Sequence, residues 1–154
     1  MTASTLIFGW GNPSRGDDAL GPLFIERFQL LAAENPAWGE IEFLTDFQLQ
    51  VEHALDLRDR RRVLFVDASI DTPAPFKATL VMPARDTSFT SHAMTPQALL
   101  HTWCQIDQQA PPPTWLLAIR GESFELGAEP GAAALENLAA ALCWAENWVK
   151  NELP

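Results

Sequence analysis

Cysteine is scarce. Cys104 and Cys143 are the only thiols in 154 residues, and with no CxxC pair and no histidine close to either, both read as small apolar residues buried on helix faces. Basic residues are few as well: ten Lys and Arg against twenty Asp and Glu give a formal net charge of −10, which argues against nucleic acid as a partner. The one basic run, Arg58-Asp59-Arg60-Arg61-Arg62, reads as a solvated turn ahead of a strand, with a docking patch as its other use. The N-terminus has no basic leader. The apolar run behind it is too short for a signal peptide or a membrane span, so a cytoplasmic chain without membrane contact is expected. There is also no HExxH helix, no Ser-His-Asp constellation, no internal repeat and no low-complexity tract.

What is present is enough apolar matter for a core. With 47% hydrophobic residues, the chain is expected to fold as a single domain, residues 1–154, without disulfide or metal staples. Five short apolar runs bounded by turn chemistry predict strands at Thr5 to Phe8, Glu40 to Leu44, Arg62 to Asp67, Lys77 to Met82 and Trp115 to Ile119. Helical spacing fills most of the gaps: Leu20, Phe24, Phe28 and Leu31, then Leu49 to Leu57, Thr95 to Ile106, and Pro130 to Asn151. The alternation predicts an α/β fold, a three-layer α/β/α arrangement on a mixed, mostly parallel five-stranded sheet. The link from Asp67 to Lys77 is too short for a crossover helix, so the fourth strand should return antiparallel. Trp103, Trp144 and Trp148, at helical spacing among aliphatics, read as packing residues.

The segment from Leu6 to Pro22 carries the most information. It reads as a buried strand, a turn with Gly9, Gly11 and Gly16, and a helix opening on Asp17 and Asp18. Glycines after a first strand usually bring backbone N–H groups to a phosphate at a helix N-terminus. Here two carboxylates hold that place, and Ser14 stands where the dinucleotide fingerprint needs its third glycine. A cation suits this turn better than an anion. The plain alternative is that one acid caps the helix and the other complements its dipole.

In a parallel sheet, ligands gather beyond the carboxyl ends of the strands. Three polar residues are expected there. Asp18 follows the first strand, Asp67 ends the apolar run Val63-Leu64-Phe65-Val66, and His92 closes the loop Thr87-Ser88-Phe89-Thr90-Ser91 ahead of a helix. Two carboxylates and an imidazole suit a divalent metal such as Ni, Zn or Fe, and an incomplete shell leaves room for a substrate ligand. Each residue also has a structural reading, as a turn cap or a helix start. Asp46-Phe47-Gln48 and Glu52 should reach the same edge as cleft-lining or capping residues, whereas His53 and His101 lie in helices away from it.

Gly9-x-Gly11-Asn12, Asp17-Asp18-x-x-Gly21, Val66-Asp67-Ala68 and Ser91-His92-x-Met94-Thr95-Pro96 fall in an order and spacing that resembles the hydrogenase maturation proteases. The stretch Arg120-Gly121-Glu122-Ser123-Phe124-Glu125-Leu126-Gly127 is similar to that family's last-strand loop. The resemblance covers nearly the whole chain and implies an endopeptidase that removes the C-terminal extension of a nickel-iron hydrogenase large-subunit precursor once nickel is in place. It further implies that Asp18, Asp67 and His92 are both the catalytic and the metal-site residues, and that the metal is nickel supplied by the precursor, with Zn or Cd able to substitute in the isolated protein. A monomer acting on that precursor is expected. The turn Ser14-Arg15-Gly16 departs from the more apolar turn of many members, which bears on partner choice. The competing readings are a non-catalytic nickel-sensing accessory protein for hydrogenase assembly and, disfavoured by the acids, a nucleotide or methyl-donor enzyme.

Overall fold

The computed structural model describes residues 2–85 and 94–151. Its strands are β1 (Thr5–Trp10), β2 (Ile41–Asp46), β3 (Arg62–Ser69), β4 (Phe76–Leu80) and β5 (Thr114–Arg120), and its helices are α1 (Leu20–Ala33), α2 (Pro96–Asp107) and α3 (Ala132–Lys150). They form one sheet in the order β2-β1-β3-β5-β4. β1, β2, β3 and β5 run parallel, and β4 pairs antiparallel with β5 as the short link before it requires. The mixed α/β architecture expected from the alternation of elements is therefore present.

Period-two alternation along the strands builds two cores, one on each sheet face. Ile7, Leu64, Val66, Leu117 and Ile119 pack under Leu20, Phe24 and Phe28 of α1 and Leu138, Ala141 and Ala145 of α3. Leu6, Phe8, Trp10, Val63 and Phe65 pack under Ala54, Leu57, Leu99, Leu100 and Trp103. Both central strands β1 and β3 are thus covered on two sides, which explains their nearly unbroken apolar runs.

Three local expectations are corrected. The Leu49–Leu57 pattern forms a 3-10 segment, Val51–Leu57, rather than an α-helix. Cys143 is exposed and only Cys104 is partly buried; α3 is so rich in alanine that apolar residues surround it, and the buried face is set by Ala134, Leu138, Ala141, Ala145 and Val149 instead. The arginine run is solvated only at Arg58, Asp59 and Arg61, whereas Arg60 and Arg62 are built into the fold. The Arg62 guanidinium, 5% exposed, donates to Thr5 Oγ1 and to the carbonyls of Trp148, Val149 and Asn151, capping α3. Arg60 donates to the Ala3 and Asp56 carbonyls and pairs with Glu42, while Arg58 pairs with Asp107.

The approach of α1 to β1 is closed by glycine. A Cβ on Gly21 would stand 2.2 Å from the Trp10 carbonyl oxygen, and one on Gly9 would stand 2.5 Å from the Gly21 carbonyl oxygen. Both obstacles are backbone and cannot swing aside. Gly21→Ala is therefore expected to destabilise the fold by about 3 kcal/mol, measured by urea unfolding. A change below about 0.5 kcal/mol would show that α1 can slide on the sheet. Among the described residues no helix is long and apolar enough to cross a membrane.

Candidate active site

The chain leaves β1 toward β2 on one side and returns to β3 on the other, with α1 on one face and the 3-10 segment on the opposite one. A crevice opens at such a switch point, beyond the carboxyl ends of the two central strands. Asp18 comes from the turn after β1 and Asp67 from the end of β3. Both arrive there.

Asp67 lies in β3 on the same sheet face as Phe8, Trp10 and Phe65, because it stays in phase with Val63 and Phe65. Its pKa is raised to about 7, first by burial and then by the nearby Asp18 charge, while hydrogen bonds from the Ala68 N–H and the Trp10 side chain oppose the rise. Asp18 is half-buried, and its Oδ2 accepts the Asn12 N–H at 2.9 Å. Gly11, at φ +146°, makes this possible, since a Cβ there would stand 2.0 Å from the Asp18 carbonyl oxygen.

The nucleotide reading fails on donor supply. Gly11 N–H goes to the Asp46 carbonyl, Asn12 N–H to Asp18, Ser14 N–H to Asn12 Oδ1 and Arg15 N–H to the Asn12 carbonyl. Gly16, Asp17 and Asp18 N–H go to the carbonyls of Ala128, Ser123 and Arg15. With Pro13 lacking an N–H, the turn has spent every backbone donor from 11 to 18, and a phosphate would find none.

Asp17 has a role that its position in sequence did not suggest. It neither caps α1, whose N-cap is Ala19, nor sits in solvent. At 3% exposure its Oδ2 accepts the N–H groups of Glu122 at 2.7 Å and Ser123 at 3.2 Å, and its Oδ1 accepts that of Gly131 at 2.8 Å. Burial alone would raise its pKa, but the bonds from Glu122, Gly131 and Ser123 together hold it below the usual carboxylate value. The carboxylate therefore ties the first turn to the loop after β5. Gly127 N–H to the Ser14 carbonyl at 2.7 Å closes the same junction.

Asp46, at the end of β2, is at the carboxyl edge as expected, with Gln48 and Glu52 exposed beside it. His53, expected away from that edge, is bonded to Asp46 there: its Nε2 is 3.2 Å from Asp46 Oδ2 while its Nδ1 accepts the Gln50 N–H at 2.8 Å. Both ring nitrogens are occupied, which leaves His53 a structural residue. A small cleft of about 190 Å³ is lined by Gly11, Pro13, Pro22, Thr45, Asp46 and Phe47, and Gly11 packs against Asp18. A second, of about 330 Å³, runs from Asp67 past Ser69, Thr72, Lys77 and Thr79. One cleft thus reaches Asp67 and the other reaches the glycine turn that packs on Asp18.

Among the described residues no three His, Cys, Asp or Glu side chains gather around one point. Asp18 and Asp67 form a pair, and His92 lies outside the described residues. Two carboxylates forced together in a partly dry crevice repel each other, and a divalent cation relieves that repulsion by binding oxygen donors.

By sequence, the chain matches no family model and no curated protein. In three dimensions it is similar to the [NiFe] hydrogenase maturation protease HycI from Thermococcus kodakarensis KOD1, with a TM-score of 0.72 and 21% identity over 97% of this chain and 94% of that one. It is similar, too, to the hydrogenase maturating endopeptidase HybD from E. coli, with a TM-score of 0.71 and 17% identity over 95% of this chain and 91% of that one. The chain has the hydrogenase maturation protease fold. A hydrogenase 2 maturation peptidase from a Thaumarchaeota archaeon shares it at a TM-score of 0.65 and 19% identity, covering 96% of this chain and 99% of that one. At these identities the likeness is one of fold, and the maturation protease fold carries its acid pair here at the switch point just described.

Proposed function

We propose that the chain is a peptidase, an endopeptidase that removes the C-terminal extension of a nickel-iron hydrogenase large-subunit precursor after nickel insertion. The reading rests on the Asp18 and Asp67 pair at the β1/β3 crevice of a maturation protease fold. In it, Asp18 and Asp67 meet the precursor's nickel as oxygen donors, and His92 adds a nitrogen. The ion travels with the substrate, and Zn or Cd can take its place in the isolated protein. When bound, it supplies the positive charge that the carboxylates lack.

The chain's own residues set the rest. Asn12 fixes the Asp18 carboxylate through its N–H, and Trp10 and Ala68 hold that of Asp67. Asp67, able to gain or lose a proton near neutrality, is the member of the pair suited to accept a proton from an attacking water. Because two carboxylates and one imidazole leave a metal under-coordinated, the site holds a free ion weakly and a loaded precursor well. The protein then works in the cytoplasm as a monomer, trimming only precursor that carries its metal.

The decisive experiment incubates purified chain with nickel-loaded and nickel-free precursor and follows precursor mass, with the metal content of the chain measured beforehand. Cleavage of the loaded form alone, by a chain holding little metal, is expected. A tightly bound stoichiometric zinc with both forms cut equally would make it a self-sufficient metallopeptidase. Metal-dependent binding without any cut would make it a nickel-sensing accessory protein.

A further inference from the structure

We propose that Phe47, Ile70 and Leu126 form an apolar docking rim around the acid pair, seating apolar side chains of the precursor polypeptide so that its peptide bond lies over Asp18 and Asp67. The proposal rests on the endopeptidase reading and names the surface by which that substrate is held.

Three large apolar side chains stand in solvent at this one edge: Phe47 is 68% exposed, Ile70 53% and Leu126 71%. They come from distant parts of the sequence. Phe47 follows β2, Ile70 follows β3, and Leu126 lies in the loop after β5, so three parallel strands deliver them to the carboxyl edge that holds Asp18 and Asp67. Folding gains little from a side chain left in water, whereas association with a partner gains by removing it.

The backbone beneath each one is fastened. Phe47 N–H donates to Asp46 Oδ1 at 2.7 Å, the Asp71 N–H beside Ile70 donates to Ser69 Oγ at 3.2 Å, and the Gly127 N–H beside Leu126 donates to the Ser14 carbonyl at 2.7 Å. Apolar groups on a pre-ordered backbone bind at a lower entropy cost than groups on a loose loop. Phe47 also forms one wall of the cleft next to Asp18, whose volume of about 190 Å³ is suited to a single side chain. The occupant is therefore an extended polypeptide with apolar residues flanking the bond presented to the acids. A small ligand would not span three loops.

The test compares Phe47→Ser, Ile70→Ser and Leu126→Ser with two controls, Leu30→Ser and Ile106→Ser. The control side chains are 67% and 50% exposed and lie toward the opposite edge, Leu30 late in α1 and Ile106 next to Asp107, which pairs with Arg58 ahead of β3. Thermal unfolding first establishes that all five variants fold. Binding of nickel-loaded precursor and the KM and kcat of its cleavage are then measured. Each rim variant is expected to raise Kd and KM about tenfold with kcat within about twofold, the signature of lost uniform binding, while the controls match the parent chain. Rim variants that bind and cut like the parent, or controls that weaken equally, overturn the rim. A parent chain that binds precursor but never cuts it overturns the endopeptidase reading and leaves the rim standing. A parent chain that binds no precursor overturns both.

Discussion

Asp67→Asn is expected to lower precursor cleavage on the order of a thousandfold and yet to make the protein more stable at pH 8. The two effects share a cause. In the folded chain the Asp67 carboxyl titrates at about 7 instead of 3.8, first because it is buried and then because Asp18 is near. Below pH 4 the carboxyl is neutral in both folded and unfolded chains, and it costs nothing. As pH rises from 4 to 7 the unfolded chain sheds this proton while the folded chain keeps it, so the stability that the protonated form confers is lost through that window. Above pH 7 a charged carboxylate sits in the crevice at a cost on the order of 2–4 kcal/mol. Asparagine keeps the shape and removes the charge. Urea unfolding at pH 8, 6 and 4 should show the variant's advantage shrink and vanish as pH falls, and an advantage that is absent at pH 8 would mean that the crevice does not strain Asp67. Stability given up at one carboxylate is the usual mark of a residue kept for chemistry.

The adjacent acids should behave in opposite ways. Asp17→Ala is expected to destabilise the fold by about 3 kcal/mol, because the N–H groups of Glu122, Ser123 and Gly131 lose a charged acceptor at once. Asp17→Asn should do nearly as much harm, since one amide oxygen cannot serve both sets of donors and its NH₂ would face an N–H. Asp18→Asn should cost less than about 1 kcal/mol, having a single N–H to satisfy, while it lowers cleavage. The Asp17 contribution has its own pH signature. Its depressed pKa means the stabilisation is present above about pH 4 and disappears as acid protonates the folded carboxyl. Equal unfolding midpoints for the Asp17 and Asp18 variants would show that the two loops are held by something other than this carboxylate.

What could be read along the chain was local. The sheet, the antiparallel β4 and the placing of Asp18 and Asp67 at one edge all follow from strand patterns and connection lengths, because an apolar run ending in Asp67 leaves few other uses for the charge. Asp17 was opaque for the opposite reason: its three donors lie 105, 106 and 114 residues away, and no periodicity reports such a bond. The buried arginines were hidden the same way, since Arg62 meets carbonyls 86 to 89 residues downstream. Cys143 faces solvent against its apolar reading because an alanine-rich helix offers no contrast between its faces. Of the three residues expected at the site, His92 lies outside the described residues, and its part in the acid site rests on the proposal.

The order β2-β1-β3-β5-β4 has a consequence for how the molecule comes into being. β5 is the last strand to leave the ribosome, but its place is inside the sheet, between β3 and a β4 that has no other partner among the described strands. Until Thr114–Arg120 slots in, the growing chain can zip β1, β2 and β3 together while β4 waits unpaired, and the acid turn lacks the loop that Asp17 must grip. Such late, long-range closure is slow compared with helix formation. Nascent chains stalled short of residue 131 should therefore be open to proteases around β4 and the first turn, and resistance should arrive in one step with the loop that follows β5.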